Sequence, residues 1–160
     1  MIPVSNLSFR TSAFTHGESI PEKYTCEGED RSPQLTIDDA PDDAGALAVV
    51  VDDPDAPAGT FTHWLLWNLP PDTVEIEEGV APREELPDLG GARQGENDFG
   101  EVGYRGPCPP EGDDPHEYRF MLYVLDEKLD AEPGALRPTV EDEIGAKARD
   151  SADFTGTFGR

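Results

Sequence analysis

Two neighbouring segments carry the residue types that could hold an imidazole against a ligand. Asp52-Asp53-Pro54-Asp55 directly follows an apolar run, and His63 lies in the next apolar run. An Asp that accepts one ring N–H of a histidine fixes the tautomer and directs the other nitrogen outward. We therefore predict that Asp53 and Asp55 orient an imidazole. The alternative is a core histidine bonded to backbone, beside an Asp-Pro turn whose carboxylates cap local N–H groups.

A second candidate segment combines a stiff loop with another histidine. The loop 106–110 contains Cys108 and three prolines, and rigid backbone beside glycines can present N–H groups to a ligand at little ordering cost. His116 and Tyr118 share one face of the strand that they open, so an imidazole and a phenol can point into one cavity. Together with His63 they supply donors for anionic oxygens. A purely structural proline-rich turn is the alternative.

Other chemistries have weaker support in the sequence. An EF-hand loop starting at Asp53 would need Gly and Glu where Ala58 and Trp64 stand, and no Gly-x-Ser-x-Gly elbow is present. Cys26 and Cys108 are the only cysteines; we expect reduced thiols, with a bridge between them as the alternative. Two histidines and one Asp could instead form a metal triad, or a histidine could act as general base on a phosphoester. No metal and no cofactor are predicted.

Short apolar runs bounded by Pro, Gly and Asp predict a mainly β protein. The predicted strands cover residues 7–14, 35–37, 46–51, 61–69, 74–76 and 118–125. Strict alternation within 61–69 places one set of side chains on a common face, namely Phe61, His63, Leu65, Trp67 and Leu69, and leaves Trp64 and Leu66 on the other. Both faces of this strand are expected to be buried.

One helix is predicted, over about residues 140–151. Thr139 is suited to the N-cap, and acidic residues follow it in the first turn. Val140, Ile144 and Ala148 would share one face. The chain shows no internal repeat and no linker, so residues 1–160 are expected to form a single domain.

The negative charge of the chain argues against polyanionic partners such as nucleic acids. There are 35 acidic residues against 12 basic ones, a formal net charge of −23, and a nucleic-acid-binding protein needs a basic surface instead. The acidic residues are scattered between apolar segments, which indicates a folded, acid-coated surface that is stable in a salt-rich cytoplasm, as in a halophile. No stretch is long and apolar enough to insert into a membrane, and no signal peptide is visible, so a cytoplasmic location is expected.

These motifs resemble the phosphatidylethanolamine-binding protein family, in particular its bacterial and archaeal Raf-kinase-inhibitor-like branch. The resemblance rests on Asp53-Pro54-Asp55-Ala56-Pro57, His63, Gly106-Pro107-Cys108-Pro109-Pro110 and His116-Glu117-Tyr118, and extends to Asn97-Asp98-Phe99-Gly100 and Gly156-Thr157-Phe158-Gly159-Arg160. Glu117 stands where the family commonly has Arg. The resemblance implies a mainly β, sandwich-like fold, with a large sheet packed by a smaller one and few short helices.

The resemblance also implies a small anion-binding pocket. Its residues would be Asp53, Asp55, His63, Gly106, Pro107, Cys108, Pro109, His116 and Tyr118. The leading hypothesis is non-enzymatic binding of phosphate, a phosphorylated head group or a nucleotide-like anion, with inhibition of a kinase or protease implied only by the family. The alternatives are a hydrolase that uses the same pocket, and a homodimeric interaction module whose pocket is vestigial.

Overall fold

The computed structural model describes residues 5–160, in which nine strands form two β-sheets. The strands are β1 (Ser8–Arg10), β2 (Leu35–Asp38), β3 (Ala46–Asp53), β4 (Phe61–Leu69), β5 (Glu75–Ile76), β6 (Glu85–Leu86), β7 (Ala92–Gln94), β8 (His116–Leu125) and β9 (Ala148–Phe158). The larger sheet has the order β6-β7-β4-β3-β8-β9 and the smaller one β1-β2-β5. Every pairing between these strands is antiparallel.

The strands β3 and β4 lie at the centre of the large sheet because both of their faces are covered by apolar side chains. One face packs against the small sheet, and Val49 and Trp64 belong to the same apolar cluster as Leu35 and Ile37. The other face packs against the helix α1 (Arg137–Lys147). Each fully buried aliphatic or aromatic side chain contributes about 1.5–3 kcal/mol to folding. The predicted mainly β architecture with two sheets and few short helices is confirmed.

Two irregularities in β4 change the face on which its side chains lie. Val51 pairs with Trp64 while Asp52 pairs with Thr62, so His63 is an extra, bulged residue. A second shift precedes Leu69 at Asn68, which has a positive φ of 60°. The predicted common face is therefore wrong, since Leu65 and Trp67 pack toward α1 whereas Leu69 packs toward the small sheet.

The predicted helix is real, but its bounds are wrong. It begins at Arg137, three residues before the expected start, with Pro138 in its first turn, where a missing N–H costs nothing. Thr139 lies inside the helix and does not cap it. Val140 and Ile144 are buried as expected, but the helix ends at Lys147 and residue 148 begins β9.

The strand β9 is absent from the prediction. It pairs along its length with β8, for example Phe154 with Phe120 and Gly156 with Tyr118. The alternation of Ala152, Phe154 and Gly156 with polar residues carries the period of a strand. Among the described residues, no helix is both long and apolar enough to cross a membrane.

Candidate functional site

A small pocket lies where β3, β4 and β8 meet two loops. Its volume is about 180 Å³, below the size of pockets that take drug-sized ligands. The residues that line it come from three strands and from the segments after β3 and before β8: Asp53, Ala56, Pro57, Phe61, His63, Phe99, Cys108, Pro109, Pro110, His116 and Tyr118. Six of the nine predicted site residues are therefore brought together: Asp53, His63, Cys108, Pro109, His116 and Tyr118.

The bulge in β4 positions His63 in this pocket. The ring is almost fully buried, and its Nδ1 lies 2.7 Å from the backbone oxygen of Arg105. A carbonyl oxygen can only accept, so Nδ1 carries the proton and Nε2 is the nitrogen left for a ligand. Burial lowers the pKa of His63, although the bond to Arg105 and the charge of Asp53 oppose this shift. His63 is therefore neutral at pH 7, and no Asp holds its ring, contrary to the prediction.

The carboxylate that orients an imidazole does so for His116. Asp53 is 4% exposed, and its Oδ2 accepts from Nδ1 of His116 at 2.7 Å. Nε2 of His116 lies 3.2 Å from Oδ2 of Asp113 on the adjoining loop. Burial acts to lower the pKa of His116, but the hydrogen bonds and charges of Asp53 and Asp113 outweigh it and raise the pKa. Both ring nitrogens thus face acceptors, which favours the imidazolium form.

Tyr118 separates the two histidines. Its ring centroid is 5.4 Å from that of His63 and 6.3 Å from that of His116. Burial raises the pKa of the Tyr118 phenol, and the nearby carboxylate of Asp53 raises it further. The phenol therefore stays protonated and remains a hydrogen-bond donor at physiological pH.

Aromatic side chains that the prediction omitted close the other side of the pocket. The rings of Phe61 and Phe99 lie 5.2 Å and 5.5 Å from the ring of His63. Phe99 is 38% exposed, and the guanidinium of Arg105 lies 4.9 Å from its centroid. Phe99 belongs to a motif that carries the family resemblance, and that motif was the signal for it.

The proline-rich loop is tied down by a covalent bond. Cys108 forms a disulfide with Cys26, with a Cα–Cα distance of 5.4 Å, so the expectation of reduced thiols is wrong. The backbone N–H of Cys26 also donates to Pro107 O at 3.1 Å. The bridge joins residues 82 apart in sequence, a proximity that only the folded chain creates.

Three predicted residues support the pocket without lining it. Asp55 accepts a hydrogen bond from the backbone N–H of Glu117 at 2.9 Å and so holds the start of β8. The backbone N–H of Gly106 donates to Asp30 at 2.6 Å. Gly106 also packs so closely on the backbone of Tyr24 that a Cβ would collide with it. The backbone oxygen of Pro107 accepts the hydrogen bond from the N–H of Cys26 and so holds the loop.

Asp30 is a supporting residue that the sequence reasoning missed. It has a positive φ of 57°, which Asp tolerates better than most residues. Its carboxylate accepts from the backbone of Gly106 and from Nε of Arg105, each at 2.6 Å. Because Arg105 supplies the carbonyl that holds His63, Asp30 fixes the pocket through one intermediate residue.

Asp52 anchors the end of β3 on the opposite face from Asp53. The side chain is fully buried and accepts two bonds of 2.8 Å from Arg119 and one of 2.9 Å from Arg137. A buried carboxylate of this kind needs such partners, since losing one leaves an uncompensated charge. The ion pairs of Asp52 therefore hold the end of β3 on one face, while Asp53 lines the pocket on the other.

A larger groove of about 590 Å³ lies over β5 and β6. Its polar lining is largely acidic, with Glu75, Glu77, Glu78 and Asp88. We assign the site to the smaller pocket because that pocket combines two imidazoles, a phenol and a buried carboxylate. Within residues 5–160, no group of three or more His, Cys, Asp or Glu is arranged to hold a metal ion.

Comparison with known proteins identifies the family of the chain and its fold. The family model for phosphatidylethanolamine-binding protein matches residues 10–159. A UPF0098 protein of Pyrococcus abyssi is 45% identical over 150 residues, which are 94% of this chain and 84% of the relative.

Two solved structures share the fold over nearly their whole length. A putative phosphatidylethanolamine-binding protein homolog from Chlamydia trachomatis has a TM-score of 0.86 and 33% identity, and the match covers 98% of this chain and 99% of that one. YbcL of E. coli, described as a member of the mammalian PEBP family, has a TM-score of 0.89 and 30% identity, with 96% and 98% covered.

Proposed function

We propose that this chain, which belongs to the phosphatidylethanolamine-binding protein family, binds a small oxyanion such as phosphate or a phosphorylated group and releases it unchanged. The observation that carries the proposal is the hydrogen bond of 2.7 Å between Asp53 and His116 at the pocket. It keeps an imidazolium, a charge-assisted donor, in a chain whose net charge is −23.

The remaining contacts support the same ligand class. The phenol of Tyr118, whose pKa is raised by burial and by its interaction with Asp53, stays protonated and lies beside His116 as a further donor group of the pocket. The walls are aromatic and proline-rich, so a bound anion would be shielded from water and its hydrogen bonds would strengthen. The small volume suits an inorganic anion or the terminal phosphate of a larger molecule better than a whole lipid.

The experiment is a thermal-shift titration with inorganic phosphate and phosphoethanolamine. A ligand at about 100 times its dissociation constant adds about 2.7 kcal/mol of stability, which for a chain of this size raises Tm by about 5–11 °C. His116→Ala should abolish the shift. The matched control is His16→Ala, because His16 is an exposed histidine outside the pocket, whose Nδ1 accepts from the backbone N–H of Thr155. Equal shifts in both variants would refute the assignment.

A His-based hydrolase is the second candidate, because the two pocket histidines have pKa values moved in opposite directions. Such a pair is typical of a general base and a general acid. The relatives carry no named enzymatic activity. Release of phosphate from a small phosphate ester, lost in His63→Gln and in His116→Gln, would establish the hydrolase and overturn simple binding.

The partner and location remain predictions. Inhibition of a kinase or protease would be tested with a panel of such enzymes, and His116→Ala would show whether the pocket is involved. Homodimer formation is tested by light scattering. The predicted cytoplasmic location is weakened by the Cys26–Cys108 disulfide, since such bonds are rare in reducing compartments outside hyperthermophiles.

A further inference from the structure

The two histidines of the pocket have opposite hydrogen-bonding capacities, and this difference restricts the ligand. His63 donates through Nδ1 to the carbonyl of Arg105 at 2.7 Å, so its neutral ring offers only an acceptor at Nε2. Within residues 5–160, Nε2 of His63 forms no hydrogen bond, and it is not among the atoms that are both buried and unpaired. It is therefore open to the pocket that the ring lines.

The groups around His63 do not convert it into a donor. Among the carboxylates, Asp53 on β3 raises the pKa of His63 most, and Asp30 and Asp52 raise it less. On β8 the neighbours are the phenol of Tyr118 and the imidazole of His116, whose pKa is raised by Asp53 and Asp113. Burial outweighs these charges and lowers the pKa of His63.

The other groups around the His63 ring add no negative charge that would raise its pKa. The guanidinium of Arg105 is turned to Asp30 and Glu101, and the rings of Phe61 and Phe99 are uncharged. The adjoining loop contributes prolines and a disulfide-bonded Cys108. The neutral, acceptor-only form is thus the form that a ligand meets.

His116 behaves in the opposite way. Nδ1 donates to Asp53 at 2.7 Å, and Nε2 donates to Asp113 at 3.2 Å. Asp113 has a side chain that is 42% exposed, so an arriving anion can take its place on Nε2. His116 then donates to the anion while His63 requires a donor from it.

We infer that the pocket selects a protonated oxyanion, one that carries both a hydroxyl donor and an anionic oxygen, such as a phosphate monoester monoanion. The inference rests on the proposed function, because it specifies the ligand of the same site. The P–O–H group donates to Nε2 of His63, and an unprotonated oxygen accepts from Nε2 of His116. A fully deprotonated oxyanion of the same shape would place a lone pair against the lone pair of His63.

The test uses a matched pair of ligands, methyl phosphate and methyl sulfate. At about pH 5.5 both are largely monoanions of similar shape, but only the phosphate has a hydroxyl proton, because the second ionisation of a phosphate ester is near pH 6. Calorimetry should show methyl phosphate binding at least about tenfold more tightly. At about pH 8, where the ester has lost its proton, that advantage should disappear.

Two further measurements keep the outcomes separate. Imidazole ¹⁵N shifts of the ligand-free wild type at about pH 7 should show His63 neutral with its proton on Nδ1, independent of any variant. His63→Gln presents an amide that can donate or accept, so it should bind methyl sulfate more tightly than the wild type does.

Equal affinity for the two ligands at about pH 5.5 would overturn the inference while anion binding stands. Binding of neither ligand would overturn the proposed function itself, and the inference with it. A protonated His63 in the ¹⁵N spectrum would also overturn the inference, whatever the affinities are.

Discussion

Replacing Asp53 by Asn removes a charge from the pocket and changes little in shape. In the native protein, Oδ2 of Asp53 accepts from Nδ1 of His116 at 2.7 Å and Oδ1 accepts from the backbone N–H of Asp55 at 2.8 Å. An amide has one acceptor oxygen and one donor nitrogen. One of the two native donors therefore loses its acceptor, and the bond to the imidazolium is no longer charge-assisted.

The expected cost follows from these two losses. A buried donor left without a partner costs about 1–3 kcal/mol, so Asp53→Asn should lower the free energy of unfolding by about 2 kcal/mol at about pH 6, where both Asp53 and His116 are charged. For a chain of this length, that change corresponds to a Tm lower by about 4–8 °C.

The pH dependence carries the diagnostic sign. Because the folded pKa of His116 is raised above its ordinary value of 6.5, its stabilising contribution is complete below that value and is lost as the pH rises through the folded pKa. The difference between wild type and Asp53→Asn should therefore be larger at about pH 6 than at about pH 9.

Urea unfolding of both proteins at the two pH values measures this difference. Asp55→Asn is the matched control, since its carboxylate lies in the same loop but holds only the backbone N–H of Glu117. Its effect should be similar at both pH values. If the cost of Asp53→Asn were equally independent of pH, the ion pair with His116 would be refuted.

Three further changes test other contacts. Asp113→Asn removes the anion that competes for Nε2 of His116, and calorimetry should show phosphate binding up to about fivefold more tightly; weaker binding would mean that Asp113 assists the ligand. Replacing Cys26 and Cys108 together by Ser should lower the free energy of unfolding by about 4 kcal/mol, because the bridge closes a long loop; an unchanged denaturation midpoint would contradict this. Raising KCl from about 0.1 to 1 M should raise Tm, since it screens the charge of −23, and a flat profile would argue against self-repulsion.

The sequence predicts the central strands well because each is a short, dense run of apolar residues bounded by Pro, Gly or Asp. Residues 61–69 are a dense aromatic and aliphatic run, and β4 has the predicted bounds. The start of α1 is misplaced because Thr139 offers a plausible cap, whereas Pro138 is the residue that fits the first turn. The omission of β9 has another cause. Its alternation of apolar and polar residues is visible in the sequence, but only its pairing with β8 establishes that the segment is a strand.

The residue types of the site are also predictable, but their pairing is not. Cys26 and Cys108 meet across 82 positions, and no local pattern encodes such a distance. The bulge at His63 arises because β4 has one more residue than β3 between two paired positions. Without that extra residue, His63 would alternate onto the face that packs on α1, together with Leu65 and Trp67.

Strand register explains why Asp53 holds His116 and not His63. Asp52 pairs with Arg119 across β3 and β8 and binds its guanidinium on the face opposite the pocket. Successive side chains on a strand point to opposite faces, so Asp53 must point to the face that carries Tyr118 and, two residues earlier, His116. The buried ion pair of Asp52 thereby fixes the register at the strand end, and the register selects the histidine that becomes charged. His63, left with a carbonyl partner, becomes the neutral member of the pair.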